Sequence, residues 1–119
     1  MADAVIVATA RSPIGRAAKG SLVDVRPDDL AATVIQAALD KVPALDPRTI
    51  EDICVGCAEP RDAHGGNMAR RIAVQLGLDD VPAATINRFC ASSVQTARMA
   101  FHAIRVGEGH VFVSAGVEC

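Results

Sequence analysis

One abrupt change of apolar period, within Ala84–Gly107 (ATINRFCASSVQTARMAFHAIRVG), constrains this chain more than anything else in it. Ala84-Thr85-Ile86-Asn87 alternates as a strand does. From Cys90 onward, Cys90, Val94, Ala97, Phe101 and Ile104 recur at steps of four, three, four and three, which is one face of an α-helix. Arg105 in the last turn and Gly107 after it form a helix stop. The spacing predicts a strand over Ala84–Asn87, a tight turn, and a helix over Cys90–Val106 with a cysteine at its mouth.

The rest of the chain repeats the alternation. Ala4–Ala10 (AVIVATA) is a near-continuous apolar run, as in a strand covered on both faces. Arg11–Leu22 is a loop carrying Arg11, Arg16 and Lys19. Pro27 opens a helix with Asp28 and Asp29 in its first turn, where the helix dipole favours them. Its inner stripe is read as Leu30, Val34, Ala38 and Val42, and Pro43–Pro47 ends it. Ile50–Cys57 is a second strand, with Ile53, Val55 and Cys57 on one face and Cys54 and Gly56 on the other. After Gly65-Gly66, Asn67 is placed to cap a helix with the stripe Met68, Ile72 and Leu76, stopped at Gly77. Val111–Val117 is the last strand. The order β-α-β-α-β-α-β predicts an α/β layered architecture with crossover helices.

A thiol in the first helical turn sits among unpaired backbone N–H groups at the positive end of the dipole. That position favours the thiolate, the reactive form, and the same N–H groups suit an oxyanion formed when sulfur attacks a carbonyl. On geometry alone a second reading stands beside it, with Cys90 a small buried apolar residue on the inner face of the helix.

Composition excludes several classes. A chain of 119 residues suffices for one domain and one core. It has no Trp or Tyr and only three Phe, so that core must be built from aliphatic side chains. A net charge of −2 without a basic patch does not recommend nucleic acid. The longest apolar runs are strand-sized, and the N-terminus has no basic region ahead of an apolar one. Neither a membrane span nor a secretory signal is expected. The four cysteines then read as reduced thiols in a cytoplasmic protein.

The remaining candidates are weaker. Cys54-Val55-Gly56-Cys57 is a C-x-x-C on a strand, where positions i and i+3 face opposite sides. A redox pair needs a helix mouth, and a zinc site needs further ligands, of which only His64 follows nearby. Core thiols are the better reading, with no metal. His64, His102 and His110 read as structural or surface residues. Ser92 and Ser93 do not stand in a G-x-S-x-G elbow, which disfavours a serine hydrolase. Arg11, Arg16 and Lys19 read as a solvated loop rather than a phosphate site.

Asn87-Arg88-Phe89-Cys90-Ala91-Ser92-Ser93-Val94-Gln95 resembles the active-site signature of the thiolases, which make or cleave 3-ketoacyl-CoA. Three more segments resemble family elements, in the family's order: Arg11-Ser12-Pro13-Ile14-Gly15-Arg16, Asn67-Met68-Ala69-Arg70 and Ser114-Ala115-Gly116-Val117-Glu118. Ser93 stands where many thiolases have glycine, although serine also occurs there among fatty-acid-degrading members.

The resemblance implies that residues 1–119 are the N-terminal part of the thiolase N-terminal domain, about a third of such an enzyme. The implied fold is two similar α/β/α halves. This chain would supply the first four strands and three helices of one half, without the fifth strand that lies between the first and fourth. Cys90 would be the acyl-accepting nucleophile, with its own backbone N–H as an oxyanion donor. Coenzyme A and 3-ketoacyl-CoA would be substrates, and no cofactor is implied. A base His and a second Cys would come from the C-terminal half, as would most CoA contacts, so the chain alone is expected to be inactive. Dimers, or dimers of dimers, would pair through Ala84–Asn87. Two rivals predict differently: a non-catalytic thiolase-like module predicts an ordinary Cys90 thiol, and a C-x-x-C protein predicts zinc or a Cys54–Cys57 disulfide.

Overall fold

The computed structural model describes residues 1–119. Its regular elements are α1 (Pro27–Leu39), β1 (Asp52–Gly56), α2 (Met68–Gln75), β2 (Ala83–Ile86), α3 (Ser92–Val106) and β3 (Phe112–Gly116), with short 3-10 turns at Pro47–Thr49 and Asp62–His64. The strands form one parallel sheet in the order β2-β1-β3, with Cys54 opposite both Ala84 and Ser114. Parallel neighbours require crossovers, and α2 and α3 supply them.

The sheet has two unlike faces. Ile53, Val55 and Cys57 project, as their alternation predicts, into a core formed with Ala31 and Ile35 of α1 and with Met68, Ala69, Ile72 and Ala73 of α2. Ile53, Val55, Met68 and Ile72 are fully buried, each contributing about 1.5–3 kcal/mol relative to an exposed side chain. Cys54 and Gly56 turn the other way and meet α3. The α/β class and the two helix layers are therefore as expected.

The first expected strand is not formed. Ala4–Ala10 joins no sheet, and Val5, Ile6 and Val7 are exposed. The segment is held by a contact of the Lys41 amine with the Thr9 carbonyl and by the Arg105–Asp3 ion pair at 3.2 Å. A strand needs a partner edge. The outer edge of β3 is open, and no intervening strand in this chain joins it to Ala4–Ala10.

Three finer expectations are also corrected. The buried face of α1 runs through Asp28, Ala31 and Ile35, not through Leu30, Val34, Ala38 and Val42. Asn67 does not cap α2 with its side chain. It donates instead to the Ala83 carbonyl at 2.8 Å and accepts from the Thr85 hydroxyl at 3.0 Å, while Thr85 Oγ1 takes the Ala69 N–H. A neighbouring strand thus satisfies the helix start. Finally, the stripe of α3 read as its inner face points away from the sheet: Val94 is 71 % and Phe101 49 % exposed, whereas Ser92 and Thr96 are buried. Periodicity identifies an apolar face but not what covers it.

Candidate active site

β2 ends at Ile86, and α3 begins only six residues later, at Ser92. The reversal between them is closed by local hydrogen bonds. Asn87 Oδ1 accepts the Phe89 N–H at 2.9 Å, an Asx turn. Phe89 itself is left-handed, with φ 47°. The Ala91 N–H donates to the Arg88 carbonyl and the Ser92 N–H to the Phe89 carbonyl, each at 3.0 Å. The buried Ser92 hydroxyl accepts the Arg88 N–H at 2.8 Å and donates to the Phe89 carbonyl at 2.7 Å.

From Arg88 to Ser92 every backbone N–H but one is therefore occupied. The exception is that of Cys90, which donates to no backbone or side-chain acceptor. Its thiol is free and exposed. Cys90 does not lie within the first helical turn, as the spacing suggested, but just ahead of the cap residue Ala91. It remains at the mouth of α3, and exposure removes the reading of Cys90 as a buried apolar residue.

The sheet beneath admits this turn because two of its positions lack side chains. A Cβ on Gly56 would lie 2.8 Å from the Ser92 carbonyl carbon and the Ser93 nitrogen, and one on Gly116 would lie 2.0 Å from Ser93 Oγ. Thr96 Oγ1 lies 2.8 Å from Ser114 Oγ and donates to the Ser93 carbonyl at 2.9 Å, tying α3 to β3.

The other sequence candidates lie elsewhere. Cys54 and Cys57 are buried free thiols. Burial, aided by Asp52, pushes Cys54 up to about 11, and burial first and Glu118 second push Cys57 up. Neither occupies a helix mouth. The His102 ring lies tilted at 54° to that of Phe101 with centroids 5.6 Å apart, and His110 is exposed. His64 is buried, and its Nε2 accepts the Cys119 N–H at 3.2 Å. Arg11, Arg16 and Lys19 stand on an exposed segment outside the regular elements. A hollow lined by Asp52, Cys54, Met99, His102 and Phe112 opens at the amino ends of β1 and β3, the opposite end of the strands from Cys90.

Sequence reasoning assigned no role to Glu118. Its carboxylate accepts the Ala58 N–H at 2.7 Å and the Glu59 N–H at 3.1 Å, and Oε1 lies 3.7 Å from Cys57 Sγ. No local pattern announces a contact across some sixty positions.

The fold and site together define an α/β protein with a parallel sheet whose strand-to-helix turn holds a free thiol open to solvent. Comparison gives the family. Residues 4–119 match the model of the thiolase N-terminal domain, and the chain belongs to the thiolase family. It is 43 % identical to a 3-ketoacyl-CoA thiolase of Aeromonas hydrophila and 42 % identical to one of Bacillus subtilis, in each case over 99 % of this chain. A beta-ketoadipyl-CoA thiolase of Acinetobacter baylyi is 40 % identical over the same share. The chain spans 31 %, 30 % and 29 % of those proteins respectively. Among solved structures, an acetyl-CoA acetyltransferase of Bacillus anthracis superposes with a TM-score of 0.87 at 34 % identity, covering 97 % of this chain and 29 % of that one.

Proposed function

We propose that this chain is the nucleophile-bearing part of a degradative thiolase, an acetyl-CoA C-acyltransferase acting on 3-ketoacyl-CoA. The observation that carries the reading is the exposed Cys90 thiol beside its own unoccupied amide, at the strand-to-helix turn. Cys90 sulfur attacks the C3 carbonyl carbon of the substrate, and the Cys90 N–H is the chain's own donor toward the resulting oxyanion. The C2–C3 bond then breaks, with its electron pair leaving on the acetyl-CoA carbon, which takes up a proton. The shortened acyl group stays on sulfur as a thioester. The thiol of a second CoA attacks that thioester, loses its proton and releases the acyl group, so that one difficult step becomes two.

No histidine or second thiol hydrogen-bonds the Cys90 thiol, and the base His and second Cys that the resemblance implies have no match here. The isolated chain is accordingly expected to give no thiolysis. Two free sheet edges support the implied assembly: β2 is an edge strand available for pairing across a dimer axis, and β3 is open to a further strand. The outward apolar stripe of α3 supports a second half packed upon it. No helix is long and apolar enough to cross a membrane. The free state of all four cysteines supports a reducing, cytoplasmic setting.

The test is a time course of iodoacetamide alkylation near pH 7, resolved by peptide mass. Cys90 is expected to react several-fold faster than the exposed Cys119, while buried Cys54 and Cys57 stay protected. Equal rates at Cys90 and Cys119 would favour a non-catalytic module.

A further inference from the structure

Cys57, His64 and Glu118 converge from three separate segments: the residue after β1, the 3-10 turn at Asp62–His64, and the chain just past β3. Cys57 Sγ, a ring nitrogen of His64 and a carboxylate oxygen of Glu118 all lie within 4.8 Å of one another. Cys57 and His64 are buried, 1 % and 8 % exposed, so only the carboxylate meets solvent. From these residues we infer a site for a single divalent transition-metal ion of the zinc class, built from side chains other than Cys90.

The donor set suits such an ion: one sulfur, one imidazole nitrogen and one carboxylate oxygen are the three ligand types zinc accepts. With metal–sulfur and metal–oxygen bonds of about 2.3 and 2.1 Å, two ligands of one tetrahedral ion stand about 3.5 Å apart. The Cys57 Sγ to Glu118 Oε1 separation, 3.7 Å, is already close to that. His64, within 4.8 Å of both other ligand atoms, needs to close by at most about 1.4 Å.

The surroundings are prepared in two ways. Glu118 is oriented by the Ala58 and Glu59 N–H groups, as outer partners orient ligating carboxylates. It also takes part in none of the chain's ion pairs, so its charge has no Lys or Arg to neutralise it. On His64, Nε2 accepts the Cys119 N–H, so the neutral ring carries its proton on Nδ1. That is the tautomer an ion at Nε2 would need, and such an ion would displace the Cys119 N–H that Nε2 now accepts at 3.2 Å. Binding replaces the thiol proton of Cys57 by the metal and releases it to solvent. Three protein ligands leave a fourth position for water.

The experiment is an equilibrium titration of the full 119-residue chain with Co2+ under a non-chelating reductant, followed by displacement with Zn2+. The expected result is one ion per chain, with a thiolate-to-cobalt band in the near-ultraviolet that zinc abolishes. Cys57→Ser removes the band, and Glu118→Gln and His64→Gln weaken binding by about tenfold or more. Cys54→Ser and Cys90→Ser leave binding unchanged. Should loss of the buried Cys57 thiol unfold the chain, Glu118→Gln decides, because it changes a solvent-facing group and keeps an acceptor oxygen for the backbone. No uptake, or uptake of unchanged affinity in folded Glu118→Gln, would overturn the site.

Discussion

The hydroxyl of Ser92 accepts the backbone N–H of Arg88 at 2.8 Å, across the turn that carries Cys90. The same hydroxyl donates to the Phe89 carbonyl, so one buried side chain ties the entry of the turn to its middle. Ser92→Ala leaves the Arg88 N–H without this partner. The expected loss is about 1–3 kcal/mol of stability, read as a lower urea midpoint with an unchanged slope. A midpoint equal to the parent's would mean that water replaces the hydroxyl at no cost.

Gly56 and Gly116 both stand under the start of α3, yet a methyl group meets different obstacles at the two. At Gly56 it would meet backbone atoms of Ser92 and Ser93, which cannot move without displacing the helix. At Gly116 the nearest atom is the hydroxyl of Ser93, which can rotate away. Gly56→Ala is therefore expected to destabilise by about 1–3 kcal/mol and Gly116→Ala by distinctly less. Thermal melts of the two variants side by side check the order, and the reverse order would contradict this seating of α3.

Asp28 gives a pH dependence of known sign. The hydrogen bond from Arg26 chiefly, with Arg71 adding to it and burial opposing, lowers its carboxyl to about 2 from an ordinary value near 3.8. A carboxyl depressed by folding contributes stability that is complete above its unfolded value and is lost as pH falls through the folded one. The contribution is thus lost between about pH 4 and pH 2. It amounts to about 1–2 kcal/mol once solvent screening at the half-exposed arginines is allowed for. Asp28→Asn should flatten the acid limb of the stability curve in that window, measured by urea unfolding at pH 5, 3.5 and 2.5. A parallel limb would contradict it.

Much of the architecture is legible in the sequence, because local chemistry decides it. Gly77 and Gly107 stop their helices with φ of 72° and 78°, and the alternation of Ile53, Val55 and Cys57 correctly gives the core face of β1. The misses over burial share one cause, which is that covering is not a local property. Ala4–Ala10 has the composition of a buried strand but finds no partner edge here. The Val94–Phe101 stripe has helical spacing but faces outward, while the sheet side of α3 is made of Ser92 and Thr96. At the site, the Asn87–Gln95 motif points to Cys90. Its free amide and the approach of Glu118 to Cys57 depend on positions that only folding brings together.

Acylation of Cys90 is tested by the mass of the Cys90 peptide after the complete thiolase, mixed with a 3-ketoacyl-CoA and no free CoA, is quenched in acid. The expected result is the shortened acyl group on Cys90 sulfur, its release when CoA is added first, and loss of both acylation and turnover in Cys90→Ala. Normal turnover with no acyl group on Cys90, or with the acyl group on another residue, would contradict it.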